Sequence, residues 1–137
     1  MIVLYQSSSN TVVTTFAENT SYTSSINYLW KLTNSDTLDN VYFIASDISG
    51  TKLRYNKFSI ELTDSGSDVP ISGSIYLKPN GGWTYLVQEQ TSSTNLNPLL
   101  SGAVVERGLV NVIGDTTPTI TNYSSSANDN NIVYYTN

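Results

Sequence analysis

The chain has 137 residues and a formal net charge of −5, and only 12% of it is charged. It contains no His and no Cys, which excludes thiolate and imidazole metal sites, Ser-His-Asp triads, Cys nucleophiles and disulfides. Ser, Thr and Asn number 20, 17 and 15, so its polarity is carried by hydroxyls and amides rather than by charge.

The apolar periodicity is that of β-structure along most of the chain. Short strands are expected at residues 2–5 and 11–16. In 26–33, Ile26, Tyr28, Trp30 and Leu32 alternate with Asn27, Lys31 and Thr33, Leu29 being the one apolar exception. A strand follows at 41–48, then 58–63, where Phe58, Ile60 and Leu62 alternate with Ser59, Glu61 and Thr63. Ile71, Gly73, Ile75 and Leu77 repeat the alternation, as do Trp83, Tyr85 and Val87. Lys78-Pro79-Asn80-Gly81-Gly82 between them has the residues of a tight turn, which predicts a β-hairpin joining 71–78 to 83–90. Asn97-Pro98 predicts one short helical turn, with Asn97 as its cap. Residues 104–113 carry apolar side chains on both parities, with Gly108 as the expected bulge or bend. After Pro118 the chain is almost entirely Ser, Thr, Asn and Asp until Ile132, Val133, Tyr134 and Tyr135. Those four form either a last strand or an arm that pairs with a neighbouring copy's sheet edge, and they are the expected partner interface.

The expected fold is therefore all-β: an antiparallel β-sandwich of about seven to nine strands, immunoglobulin-like in preference to a jelly roll. Its core is expected to hold Tyr28, Trp30, Phe43, Phe58, Ile60, Ile75, Leu77, Trp83, Tyr85, Val87, Val110 and Val112. The domain spans residues 1–114, and 115–137 form a polar linker with the C-terminal arm or last strand.

Chemistry has few handles on such a chain. Acid–base work needs two carboxylates, and Glu61, Glu89 and Glu106 all fall on expected strands, where solvated positions are the preferred reading. Asp64-Ser-Gly-Ser-Asp68, and Asp36 with Asp39, place paired carboxylates in loops, but each falls short of the oxygens calcium needs and reads as a turn. No cofactor and no metal is expected. Ten Tyr and two Trp on a β scaffold suit sugar stacking; Tyr76, opposite the apolar parity of its strand, is the candidate platform, while Trp30 and Trp83 read as core. The scattered Lys and Arg and the acidic balance argue against nucleic acid, and no run approaches the roughly 18 apolar residues of a membrane helix. The first residues are too short and too uncharged for a signal peptide, so the product is expected in the cytoplasm when made.

Four stretches add a resemblance: Arg54-Tyr-Asn-Lys-Phe-Ser-Ile60, Gly73-Ser-Ile-Tyr-Leu-Lys-Pro-Asn-Gly-Gly-Trp-Thr-Tyr85, Gln88-Glu-Gln-Thr-Ser-Ser-Thr-Asn-Leu96 and Glu106-Arg-Gly-Leu-Val-Asn-Val-Ile-Gly114. Over positions 54–114 the chain resembles small virion structural proteins of tailed bacteriophages, crAss-like phages in particular. The resemblance implies a non-enzymatic auxiliary or decoration protein, bound to the capsid shell in many copies, with an immunoglobulin-like or jelly-roll sandwich. Implied partners are the major capsid protein, other virion proteins and sister copies, and the implied location is the virion, assembled in the host cytoplasm. A carbohydrate-binding module on the virion surface and a tail or connector component are the alternatives. The family offers no active-site residues to carry over.

Overall fold

The computed structural model describes residues 1–21, 26–50, 55–64 and 68–114. Among them are nine strands: β1 Ile2–Tyr5, β2 Ser9–Thr14, β3 Asn27–Asn34, β4 Asn40–Ile44, β5 Ser46–Asp47, β6 Asn56–Leu62, β7 Ser74–Ile75, β8 Gly81–Gln90 and β9 Val104–Ile113. Single 3-10 turns at Phe16–Glu18, Pro70–Ser72 and Pro98–Leu100 are the helical content of these residues. The last is the turn expected there: Asn97 caps it by accepting the Leu99 N–H at 3.0 Å.

The strands form two sheets, in the orders β1-β9-β8-β3-β4 and β2-β6-β5, with β7 added to β6. The two sheets, β2-β6-β5 and β1-β9-β8-β3-β4, face each other across one core as a β-sandwich. Not every pairing is antiparallel. β1 runs parallel to β9, and β7 parallel to β6.

Alternation builds the core directly, because every second side chain of each strand points between the sheets. All of the residues expected there are buried. Trp30 sits at the centre, its ring centroid 5.4 Å from Phe58 of the opposite sheet, 5.7 Å from Phe43 and 5.8 Å from Tyr85. Phe16 comes from the first 3-10 turn rather than from a strand, yet it is fully buried 5.3 Å from Trp30. Truncating a ring in such a cluster costs about 3–5 kcal/mol.

Three local expectations are corrected. The 71–78 segment is not the first arm of a hairpin: Ile71 lies exposed in a 3-10 turn, and only Ser74–Ile75 pair, with β6 of the smaller sheet. Ile75 and Leu77 are fully buried, so burial makes the alternation, while Lys78–Gly82 carries the chain across to β8 in the other sheet. The 41–48 segment divides into β4 and β5, which belong to different sheets. In β9 the irregularity is at Val105 rather than Gly108. Val87 faces Glu106 and Gln88 faces Val104, leaving buried Val105 as the extra residue. That one-residue insertion is why the strand carries apolar side chains on both parities.

Candidate docking face

The three strand carboxylates lie in three different settings. Glu61 is exposed on β6. Glu89 is buried and accepts hydrogen bonds from Thr20 Oγ1 at 2.5 Å, from the Ser21 N–H at 2.8 Å and from Ser21 Oγ. Glu106 accepts from the Tyr85 hydroxyl at 2.5 Å. Burial first, and the Glu106 carboxylate second, push the Tyr85 phenol well above the usual tyrosine range. Burial likewise raises Tyr28, with the Asp47 charge adding to it.

The Asp36–Asp39 stretch is a built turn. Asn34 Oδ1 accepts the Asp36 and Thr37 N–H groups, each at 2.8 Å, and Thr37 Oγ1 donates to Asp39 at 2.8 Å. Asp64 accepts from Ser7 Oγ, and residues 65–67 of its loop lie outside the described residues. Among the described residues no three His, Cys, Asp or Glu gather as a metal-sized group. Tyr76 is exposed, as its parity predicts. The expected interface at Ile132, Val133, Tyr134 and Tyr135, and the whole 115–137 segment, lie outside the described residues.

What the register does bring together is the outer face of the five-stranded sheet. Lys31 stands opposite Tyr42 on one side and Leu86 on the other, and Leu86 stands opposite Arg107. One cross-strand row therefore reads Tyr42, Lys31, Leu86, Arg107. The next reads Asn40, Thr33, Thr84, Leu109. With strands about 4.8 Å apart, the backbone positions of Lys31 and Arg107 lie roughly 10 Å from each other across one leucine. Lys31, Leu86 and Arg107 of the first row and Thr33, Thr84 and Leu109 of the second line a cavity of about 450 Å³, with Tyr85 and Gly108. Lys31 lies 6.0 Å from the Tyr42 ring centroid, and no carboxylate of the described residues pairs with Lys31 or Arg107.

Towards β1 the same face continues with Val3, Tyr5, Leu109 and Ile113, all exposed. Its other end is closed: Gln88 Nε2 donates to the carbonyls of Pro98 and Gly102, and Leu29 opposite Gln88 is buried. The outer face of the smaller sheet is chemically different. Thr11, Ser59 and Ser46 form one row across its three strands, and Ser9 Oγ lies 3.3 Å from Ser59 Oγ. The edge of β1 is blunted as well, since the Asn10 carboxamide accepts the Tyr5 N–H at 2.8 Å and donates to the Tyr5 carbonyl at 3.0 Å.

This face was not among the sequence-level candidates. Lys31 and Thr33 show there as the polar parity of their strand, but pairing them with Leu86, Arg107 and Leu109 requires the strand order and the β9 register. Compared with known proteins, the chain matches no family model, no curated protein and no solved structure.

Proposed function

We propose that the chain is a non-catalytic structural protein of a tailed-phage particle, an auxiliary, decoration-type protein held on the capsid shell in many copies. The outer face of the five-stranded sheet is the surface through which each copy is held among its neighbours on the particle, sister copies included. One observation carries this reading: that face is apolar and cationic and its open end is uncovered by any described residue, while the opposite face of the sandwich is mainly hydroxyls, with Val13, Lys57 and Glu61 among them. An exposed apolar patch bordered by polar groups marks an interaction site. The blunted β1 edge favours contact through the face over strand addition at that edge. The phage assignment itself is supported by the resemblance over residues 54–114.

Purified particles of the phage whose genome encodes the chain test the proposal. Mass spectrometry is expected to find the chain at high copy number, and a particle reconstruction to show the sandwich in symmetric array, with the Lys31–Arg107 face buried in a protein contact. Particles that lack the chain, or that carry it with this face towards solvent, would overturn the reading.

A further inference from the structure

We infer that the occupant of the Lys31–Leu86–Arg107 groove is the β3–β4 turn of a second copy of this chain; the inference rests on that face being the docking surface. The turn presents Asp36, Leu38 and Asp39, all exposed. Leu38 is held at φ 62°, in the left-handed region that a branched side chain rarely adopts. Its N–H donates to the Asn34 carbonyl at 3.0 Å, and the Asn34 N–H donates to the Asp39 carbonyl at 2.9 Å. Two further N–H groups are tied to Asn34 Oδ1. The tip is thus a fixed knob with one leucine between two carboxylates.

The groove is its complement, one leucine between two cations, with Leu109 and the Thr33 and Thr84 hydroxyls alongside. Among the described residues the β3–β4 turn is where two exposed carboxylates flank an exposed leucine. A chain's own knob does not reach its own groove. The turn follows directly on the Thr33–Asn40 pair at the end of the sheet, and neither Asp36 nor Asp39 pairs with Lys31 or Arg107. Knob and groove lie at the same end of the same sheet, Thr33 lining one and leading into the other. Two copies related by a two-fold axis therefore exchange both contacts at once, giving a closed pair.

Sedimentation of the full chain tests this. The wild-type protein is expected to form a dimer whose dissociation constant rises as salt rises from about 50 mM to about 500 mM, because the four ion pairs of its two contacts are screened. Leu38→Asp is expected to weaken it at least about tenfold with the melting curve unchanged. A chain with Lys31→Asp and Arg107→Asp, and another with Asp36→Lys and Asp39→Lys, are each expected to be monomeric alone and to associate when mixed, since the mixture restores opposite charges at both contacts. A wild-type chain monomeric at every concentration overturns the inference, as does association that survives Leu38→Asp, or a mixture of folded charge-swap chains that stays apart. Loss of the dimer on removing residues 115–137, with Leu38→Asp harmless, overturns it in favour of that segment as the occupant. The two readings fail separately. A monomeric chain found on particles with this face against the shell protein leaves only the docking proposal standing, whereas a knob-dependent dimer absent from particles leaves only the pairing.

Discussion

Gly108 is small because Tyr85 lies on it. A Cβ built at Gly108 comes 2.6 Å from Tyr85 Cε1 and 2.8 Å from its hydroxyl oxygen, inside any tolerated contact. That ring cannot swing away cheaply, since it packs on Trp30 and its hydroxyl is bonded to Glu106. Gly108→Ala is therefore expected to lower stability by about 1–3 kcal/mol in urea unfolding, as overpacking does elsewhere, and a neutral result would mean the ring is not seated there. The same hydroxyl sets a pH dependence. A tyrosine whose folded pKa is raised stays protonated in the native state after the unfolded chain has begun to ionise. Its stabilisation is complete below about pH 10, the unfolded value, and is lost as pH climbs towards the higher folded one. The urea midpoint is expected to fall as pH rises above about 10. Tyr85→Phe should flatten part of that fall and leave the remainder to Tyr28, whose phenol is raised as well. An unchanged slope in the Phe variant would remove Tyr85 from the account.

Strands were legible where burial alone decides the pattern. Phe58, Ile60 and Leu62, or Trp83, Tyr85 and Val87, announce a strand because one face of each is in the core. Pairing was not legible in the same way. Ile75 and Leu77 alternate like a hairpin arm, but alternation records which side chains are buried and is silent about which neighbour accepts the hydrogen bonds. The docking face was hidden for a related reason: Leu109 and Ile113 look like core residues until the insertion at Val105 shifts the parity of β9. The β3–β4 turn was read correctly as a turn, while its left-handed leucine could not be seen in composition. Leu38→Gly separates its two roles. Glycine takes positive φ without the cost a side chain incurs there, so thermal unfolding should show the variant as stable as wild type or more so by about 0.5–1 kcal/mol. Sedimentation should show a weaker dimer, because the knob has lost its apolar tip. If dimerisation is unaffected, the leucine is held left-handed for some other purpose.

The molecule as a whole is two-sided, and its lack of cysteine makes the difference measurable. The smaller sheet turns Ser, Thr, Lys57, Glu61 and a single exposed Val13 outward, a surface that water solvates well and that is poorer in apolar groups than the larger sheet's. The larger sheet turns Leu86, Leu109, Val3, Tyr5 and Ile113 outward beside Lys31 and Arg107, with which no carboxylate of the described residues pairs, and there water removal is favourable once a partner supplies the anions. Thr84 stands exposed in the middle of the second surface and Thr11 exposed on the first. Thr84→Cys and Thr11→Cys each introduce one unique thiol at a strand position whose side chain points to solvent. A bulky maleimide on Thr84→Cys is expected to abolish both dimerisation and attachment to particles, while the same label on Thr11→Cys should leave both intact. Native-like circular dichroism in both labelled proteins would ensure that the contrast reports contact rather than folding. If the Thr11 label is the one that blocks attachment, the hydroxyl surface is the side that docks. The apolar character of the larger sheet would then require a different explanation.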